Sequence, residues 1–185
     1  LLFFGSNTSV LAINATTGKE KWKYHVNDTL FFTPSVKNDT LCIGNTDGDI
    51  YIIDSKTGTK KLVISTNSSI YYLFLSNNIV YYLDGGKNVF NAHDVKTGEK
   101  LWMFQNNVSK CSAPLITKGI IYLYSNDRRI HAVDAQTGKE MWSFTVSCII
   151  SSDIGVYNDT LYFEGKNDFF AIDAKTGKNL WKYPF

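Results

Sequence analysis

Residues 132–142 read Ala132-Val133-Asp134-Ala135-Gln136-Thr137-Gly138-Lys139-Glu140-Met141-Trp142, and this phrase decides the fold because it returns along the whole chain. Its skeleton is Ala-x-Asp/Asn-x-x-Thr-Gly-x-x-x-Trp. Other copies carry Ala12, Asn14, Gly18 and Trp22, then Ala92, Asp94, Gly98 and Trp102, and finally Ala171, Asp173, Gly177 and Trp181. A fifth copy is degenerate: Asp54 and Gly58 hold, but Ile52 replaces the alanine and Leu62 the tryptophan. Successive glycines, from Gly18 to Gly177, lie 40, 40, 40 and 39 residues apart. A constant period in the range of about 20–50 residues marks a repeat architecture, in which each unit buries its apolar face against its neighbours.

The interval between two phrases shows what one unit is. Pro34-Ser35-Val36, Leu41-Cys42-Ile43, Ile50-Tyr51-Ile52-Ile53 and Lys61 to Ser65 are short β-prone runs. Between them lie Lys37-Asn38-Asp39, Asn45 to Asp49, and Asp54-Ser55-Lys56-Thr57-Gly58. Short β-branched and aromatic runs punctuated by Asn, Asp and Gly predict four consecutive antiparallel strands. Within the phrase, the Asp or Asn is placed to accept backbone N–H groups two residues ahead, and the glycine to adopt positive φ. The tryptophan then falls on the outer strand, where it can cover the turn of a neighbouring unit. Full burial of such a ring is worth roughly 2–3 kcal/mol.

These residues resemble the pyrroloquinoline-quinone (PQQ)-type propeller repeat with its tryptophan docking motif, over essentially the whole chain. The resemblance implies an all-β propeller of four-stranded antiparallel blades. It is specific for fold and less so for function. Quinone-dependent alcohol dehydrogenases carry the repeat, and so do cofactor-free BamB-like outer-membrane assembly lipoproteins. Luminal stress-sensor domains are distantly similar.

The repeats divide one domain, 1–185, into units at about 1–26, 27–66, 67–106, 107–146 and 147–185. Leu1-Leu2-Phe3-Phe4 aligns with Leu41-Cys42-Ile43, so the first unit begins at its second strand and the chain holds about five blades in 19 strands. Either the five close a ring or they form an arc of a larger propeller. The arc is preferred, because rings of the resembling family typically have seven or eight blades.

Composition narrows the partners. A net charge of +2 offers no field for nucleic acid, and the chain lacks any apolar run long enough for a membrane-spanning helix, so direct membrane insertion is not expected. A hydrophobic content of 44% with 15% aromatic residues suits a packed core. Seven Asn-x-Ser/Thr sequons, at Asn7, Asn14, Asn27, Asn38, Asn67, Asn107 and Asn158, exceed the about three that chance placement gives. Two of them, Asn38 and Asn158, are one repeat turn copied. The surplus suggests glycosylation in a secreted protein, and the resemblance, whose repeat many extracytoplasmic proteins carry, implies an extracytoplasmic setting.

Residues with catalytic chemistry are sparse. The resembling dehydrogenases imply a catalytic Asp, a Ca²⁺ site and a vicinal disulfide above the central channel, but this chain has no adjacent cysteines. At equivalent places on the inner strands stand Pro34, Phe74, Pro114 and Asp153, and one carboxylate cannot supply the six to eight oxygens that Ca²⁺ takes. No cofactor is therefore expected. His25, His93 and His131 show no zinc spacing, Cys42 reads as a buried small hydrophobe, and Cys111 and Cys148 are either bridged or free thiols. Asp47-Gly48-Asp49 and Gly85-Gly86 read as turn chemistry. Arg128 and Arg129, the only arginines, share one blade tip as exposed candidates for a partner contact.

The expectation is a non-catalytic scaffold for protein–protein interaction, whose partner is a protein or further propeller blades, on the same or another chain. Two alternatives remain open: a fragment of a PQQ-dependent dehydrogenase, and a ligand- or peptide-sensing ectodomain of a membrane kinase.

Overall fold

The computed structural model describes residues 1–26, 29–30, 33–105, 108, 113–146, 150 and 153–185. Its described residues form nineteen strands and no helix. They fall into two compact units, Leu1–Met103 and Phe104–Phe185.

In the first unit, a three-stranded sheet joins β1 (Leu2–Ser6), β2 (Ser9–Ile13) and β3 (Glu20–His25). The second sheet runs β4 (Ser35–Lys37), β5 (Thr40–Gly44), β6 (Asp49–Asp54) and β7 (Lys60–Ser65) in sequence order. The third runs β8 (Ile70–Ser76), β9 (Ile79–Asp84), β10 (Val89–Asp94) and β11 (Lys100–Phe104), whose last residue opens the second unit. Two further meanders complete that second unit. They are β12 (Leu115–Thr117) to β15 (Glu140–Thr145) through β13 (Ile120–Ser125) and β14 (Arg129–Asp134), and β16 (Gly155–Tyr157) to β19 (Asn179–Pro184) through β17 (Thr160–Glu164) and β18 (Asp168–Asp173).

The alternation of side chains across a strand explains why the middle strands are apolar on both faces. In the second sheet Leu41, Ile43, Tyr51 and Ile53 join Val10, Val26 and Leu30 in one core cluster. Their neighbours Cys42, Ile50 and Ile52 join Ile70, Leu75, Val80 and Tyr82 in another. The second sheet therefore lends one face to each neighbour. The last two sheets of the chain share a third core, built on Tyr122, Ile130, Leu161, Phe163 and Phe170.

The inner strands start later than the sequence suggests. Pro34 and Pro114 precede β4 and β12 instead of opening them, as expected of a residue with no N–H to give the ladder. Asp153 likewise lies ahead of β16. The third inner strand, β8, is longer and bulged: Tyr72 takes φ +49° and the register with β9 shifts between Tyr71 and Phe74. This places Phe74 against Tyr81 in a stacked contact at 5.1 Å.

Candidate functional site

The repeat phrase builds the same turn five times. Asn14 Oδ1 accepts the backbone N–H groups of Thr16 and Thr17, and Asp54 Oδ1 those of Lys56 and Thr57. Asp94, Asp134 and Asp173 repeat this pair of bonds. Gly18, Gly58, Gly98, Gly138 and Gly177 then take φ between +68° and +77°, a conformation that costs glycine little. A bulge follows the alanine position in β2, β14 and β18, and Ile52 in β6.

These turns hold their carboxylates in the charged form. Asp54 is held down at about 2, first by the Lys61 ammonium that hydrogen-bonds it and then by the Thr57 N–H. Asp94 is lowered chiefly by the Thr97 N–H, and Asp134 and Asp173 by the hydroxyls of Thr137 and Thr176.

Three of these turns, at Gly58, Gly98 and Gly177, are also the floor for an outer-strand side chain of the preceding sheet. Trp22 donates its indole N–H to the Ser55 carbonyl at 3.1 Å, and a Cβ added to Gly58 would stand 2.7 Å from its ring. Trp142 repeats the arrangement on the Ala174 carbonyl at 3.2 Å, with Gly177 beneath it. Leu62 occupies the place on Gly98, where an added Cβ would meet Leu62 Cδ2 at 3.0 Å. Trp102 is 9% exposed and tilts against Tyr81 and Phe90 of its own sheet. Trp181 differs: it stacks on Phe169 yet stays 46% exposed.

One group of side chains has the composition of a nucleophile with its base. Ser125 Oγ lies 2.8 Å from His131 Nε2, and His131 Nδ1 lies 2.9 Å from Glu140 Oε2. Ser125 also bonds Asp127, and Phe104 meets the imidazole edge-on at 5.3 Å. Ser125 has no exposed surface and His131 1%, so no substrate atom can approach the hydroxyl. The group ties β13, β14 and β15 together.

The other histidines are bonded in kind, His93 to the Gly98 carbonyl at 3.0 Å and His25 to Ser9 at 3.0 Å. Burial lowers the basicity of His93. Cys42 has no exposed surface, and burial pushes its thiol up to about 12. Cys111, Cys148, Asn27 and Asn107 lie outside the described residues. Among the described residues, no three His, Cys, Asp or Glu side chains gather where they could hold a metal ion.

What the surface does present is a set of turn tips. Arg128 sits in the β13–β14 turn with φ +66°, Arg129 opens β14, and both are exposed. Arg129 Nε is 3.9 Å from Asp127. Asn7, Asn38, Asn67 and Asn158 are exposed turn residues with positive φ, whereas the amide of Asn14 is engaged in its own turn. Between the fourth and fifth sheets a cleft of about 310 Å³ is lined by Thr117, Ile120, Tyr122, Val156 and Tyr157, with the Lys118–Asp159 ion pair at its edge. This cleft was not legible from the sequence, because it forms between turns of adjacent repeats.

The family described as outer membrane protein assembly factor BamB matches residues 1–79 and 85–185. This chain belongs to that family. Among solved structures, BamB from Moraxella catarrhalis superposes with a TM-score of 0.82 at 19% identity, covering 97% of this chain and 60% of that one. The computationally designed Ika8 protein superposes at 0.78 and 18% identity, over 98% of this chain and 60% of the design. Quinohemoprotein alcohol dehydrogenase ADHIIG from Pseudomonas putida HK5 superposes at 0.76 and 17% identity, over 99% of this chain and 40% of the enzyme. These likenesses show the propeller-repeat fold. This BamB-family chain spans about 60% of the length of the first two. No curated protein matches it by sequence.

Proposed function

We propose that this BamB-family chain is part of a non-catalytic β-propeller scaffold that binds another protein in an extracytoplasmic setting. One observation carries the reading. Among the described residues, Ser125 and His131 are engaged in a closed interior and Asp54, Asp94, Asp134 and Asp173 in turns. Turn tips are exposed, among them Arg128 and Arg129. Arginine and aromatic side chains are the types that dominate binding energy at protein interfaces. The family's description makes a component of outer-membrane protein assembly the partner of choice.

Photo-crosslinking from positions 128 and 129 in a cell-envelope preparation tests the reading. Discrete protein adducts are expected, and Arg128→Ala with Arg129→Ala should weaken capture of the same protein. The dehydrogenase alternative is tested in parallel with added quinone and Ca²⁺. A ligand that binds only the folded state must raise the melting temperature. No rise and no dye reduction are expected. A rise of several degrees with turnover would replace the scaffold by an enzyme.

A further inference from the structure

An asparagine in a left-handed turn needs no particular residue two places on, because its short polar side chain tolerates positive φ by itself. Among the described residues, Asn7, Asn38, Asn67, Asn77, Asn78, Asn88 and Asn158 take positive φ. Four of these seven, Asn7, Asn38, Asn67 and Asn158, have Ser or Thr at the second place after them. Ser and Thr together make up about one residue in six, so chance gives about one such asparagine. Counting the copied Asn38 and Asn158 turn once still leaves three. Turn chemistry explains the asparagines and leaves the hydroxyls unexplained. The buried asparagines, Asn45 and Asn91, precede Asp47 and His93 at that place, and neither is a sequon.

Asn7 and Asn158 lie on the first and last sheets, so the case rests on the two inner sites. Asn38 and Asn67 fall inside one compact unit, on the second sheet and on its link to the third. Asn38 begins the two-residue turn between β4 and β5, where Lys37 pairs with Thr40. Its carbonyl accepts the Ser55 hydroxyl, and Asp39 beside it is paired with Lys56 at 2.8 Å. The turn is held by its backbone and by Asp39, while Asn38 is exposed. Asn67 lies in the link from β7 to β8, which is tied down on either side of it. Thr66 bonds the Gly48 carbonyl through both its N–H and its hydroxyl, and the Ser68 hydroxyl bonds Asp84. Asn67 itself is exposed at φ +55°. Among the described residues, no hydrogen bond engages the side-chain amide of Asn38 or Asn67. A glycan is bulky and strongly solvated, so a folded chain carries one only where the amide opens to water. Both places meet that condition.

We propose that Asn38 and Asn67 are modification sites, each bearing an N-linked oligosaccharide. The donor is an oligosaccharide joined through phosphate to a membrane polyisoprenoid, and a membrane oligosaccharyltransferase makes the transfer. The amide Nδ2 attacks the anomeric carbon of the first sugar. The new C–N bond replaces the C–O bond to phosphate, and the polyisoprenoid phosphate leaves with that electron pair. The displaced amide proton passes to a base of the transferase, and nothing is oxidised or reduced. The hydroxyls of Thr40 and Ser69 are the groups that the transferase reads two residues on. The inference rests on the extracytoplasmic setting proposed above, where such donors are presented.

Peptide mass spectrometry of the protein purified from the cell envelope of its native host tests it. The peptides bearing Asn38 and Asn67 should be heavier than their sequences by whole sugars and should release sugar fragments on collision. Thr40→Ala should strip the glycan from Asn38, and Ser69→Ala that from Asn67, although each asparagine remains. Thr40→Ser and Ser69→Thr keep the hydroxyl and should keep the glycan, which separates loss of the sequon from loss of the fold. A peptide at its bare mass overturns the proposal for its asparagine. Sugar that persists in Thr40→Ala or Ser69→Ala overturns it as well, since the transfer would not be reading the sequon. Bare peptides in envelope protein leave the scaffold reading standing, whereas protein found in the cytosol would overturn the setting on which both depend.

Discussion

The ring of Trp142 rests on Gly177 so closely that a single methyl group on that glycine would stand 2.6 Å from Cε3. No ordinary packing contact is that short, and the neighbour is a large ring held by its own hydrogen bond to Ala174. The glycine is thus required twice, for its backbone at φ +69° and for the space above it.

Those two requirements separate by position. Gly18 has the same φ, yet nothing lies within 4 Å of a Cβ there. Gly18→Ala should therefore cost only the left-handed strain, roughly 1 kcal/mol. Gly58→Ala adds a clash with Trp22 at 2.7 Å and should cost about 1–3 kcal/mol more. Urea denaturation of dilute protein checks the difference, and equal costs would show that Trp22 does not press on Gly58.

Leu62 is the departure from the repeat, and its floor is intact. Gly98 has positive φ, and Val95, three residues earlier, is buried like Ser55. Leu62→Trp should be accommodated, raising stability by up to about 1 kcal/mol through added apolar burial. A loss of more than about 1 kcal/mol would indicate overpacking against the second and third sheets.

The architecture was legible because glycine and Asx spacing encode turns locally. Asn14, Asp54, Asp94, Asp134 and Asp173 all make the bonds that their spacing predicts. The start of each inner strand was not legible, since Pro34 and Pro114 sit in apolar runs whose pairing is decided only by ladder donors. The bulge at Tyr72 was hidden for a related reason: positive φ at a tyrosine follows from packing and has no local signal. The Ser125–His131–Glu140 group was also invisible, because its members meet across three strands at a register that sequence separation does not give. Trp181 was legible in the sequence as a docking residue, and the preferred arc left it uncovered.

The buried serine offers a clean test of structure against chemistry. Ser125→Ala leaves the His131 Nε2 side without its 2.8 Å partner in a closed interior. The expected cost is about 1–3 kcal/mol, that of an unsatisfied buried polar group. Esterase assays on wild type and variant should show equal background rates. A serine-dependent rate would mean that the interior opens to substrate.

Acid should loosen the turns in a defined window. Asp54 is held at about 2 in the folded chain, below the ordinary value of about 3.9 in an unfolded one. Its stabilisation is therefore complete above the unfolded value and is lost as pH falls through the folded one. Asp94, Asp134 and Asp173 are lowered in the same direction and add to the effect. Melting temperature should fall between about pH 5 and pH 2, and Asp54→Asn should flatten part of that slope. An unchanged slope would place the acid sensitivity elsewhere.

Cys42 should resist alkylation in the native state, since it is fully buried and its thiol is raised to about 12. Peptide mapping after iodoacetamide treatment should find its peptide unmodified until denaturant is added. Prompt native labelling would contradict the packing of the second sheet on the third.

The account rests on the outer-strand ring and the next repeat's glycine being one energetic unit, and a double-mutant cycle between Trp142 and Gly177 measures that most directly. Gly177→Ala should be costly in the wild-type chain, where its Cβ meets the ring. In the Trp142→Ala background only the backbone strain is left, so the same change should cost at least about 1 kcal/mol less. Additivity within about 0.5 kcal/mol would contradict the account, because contacting residues in one packed unit do not add.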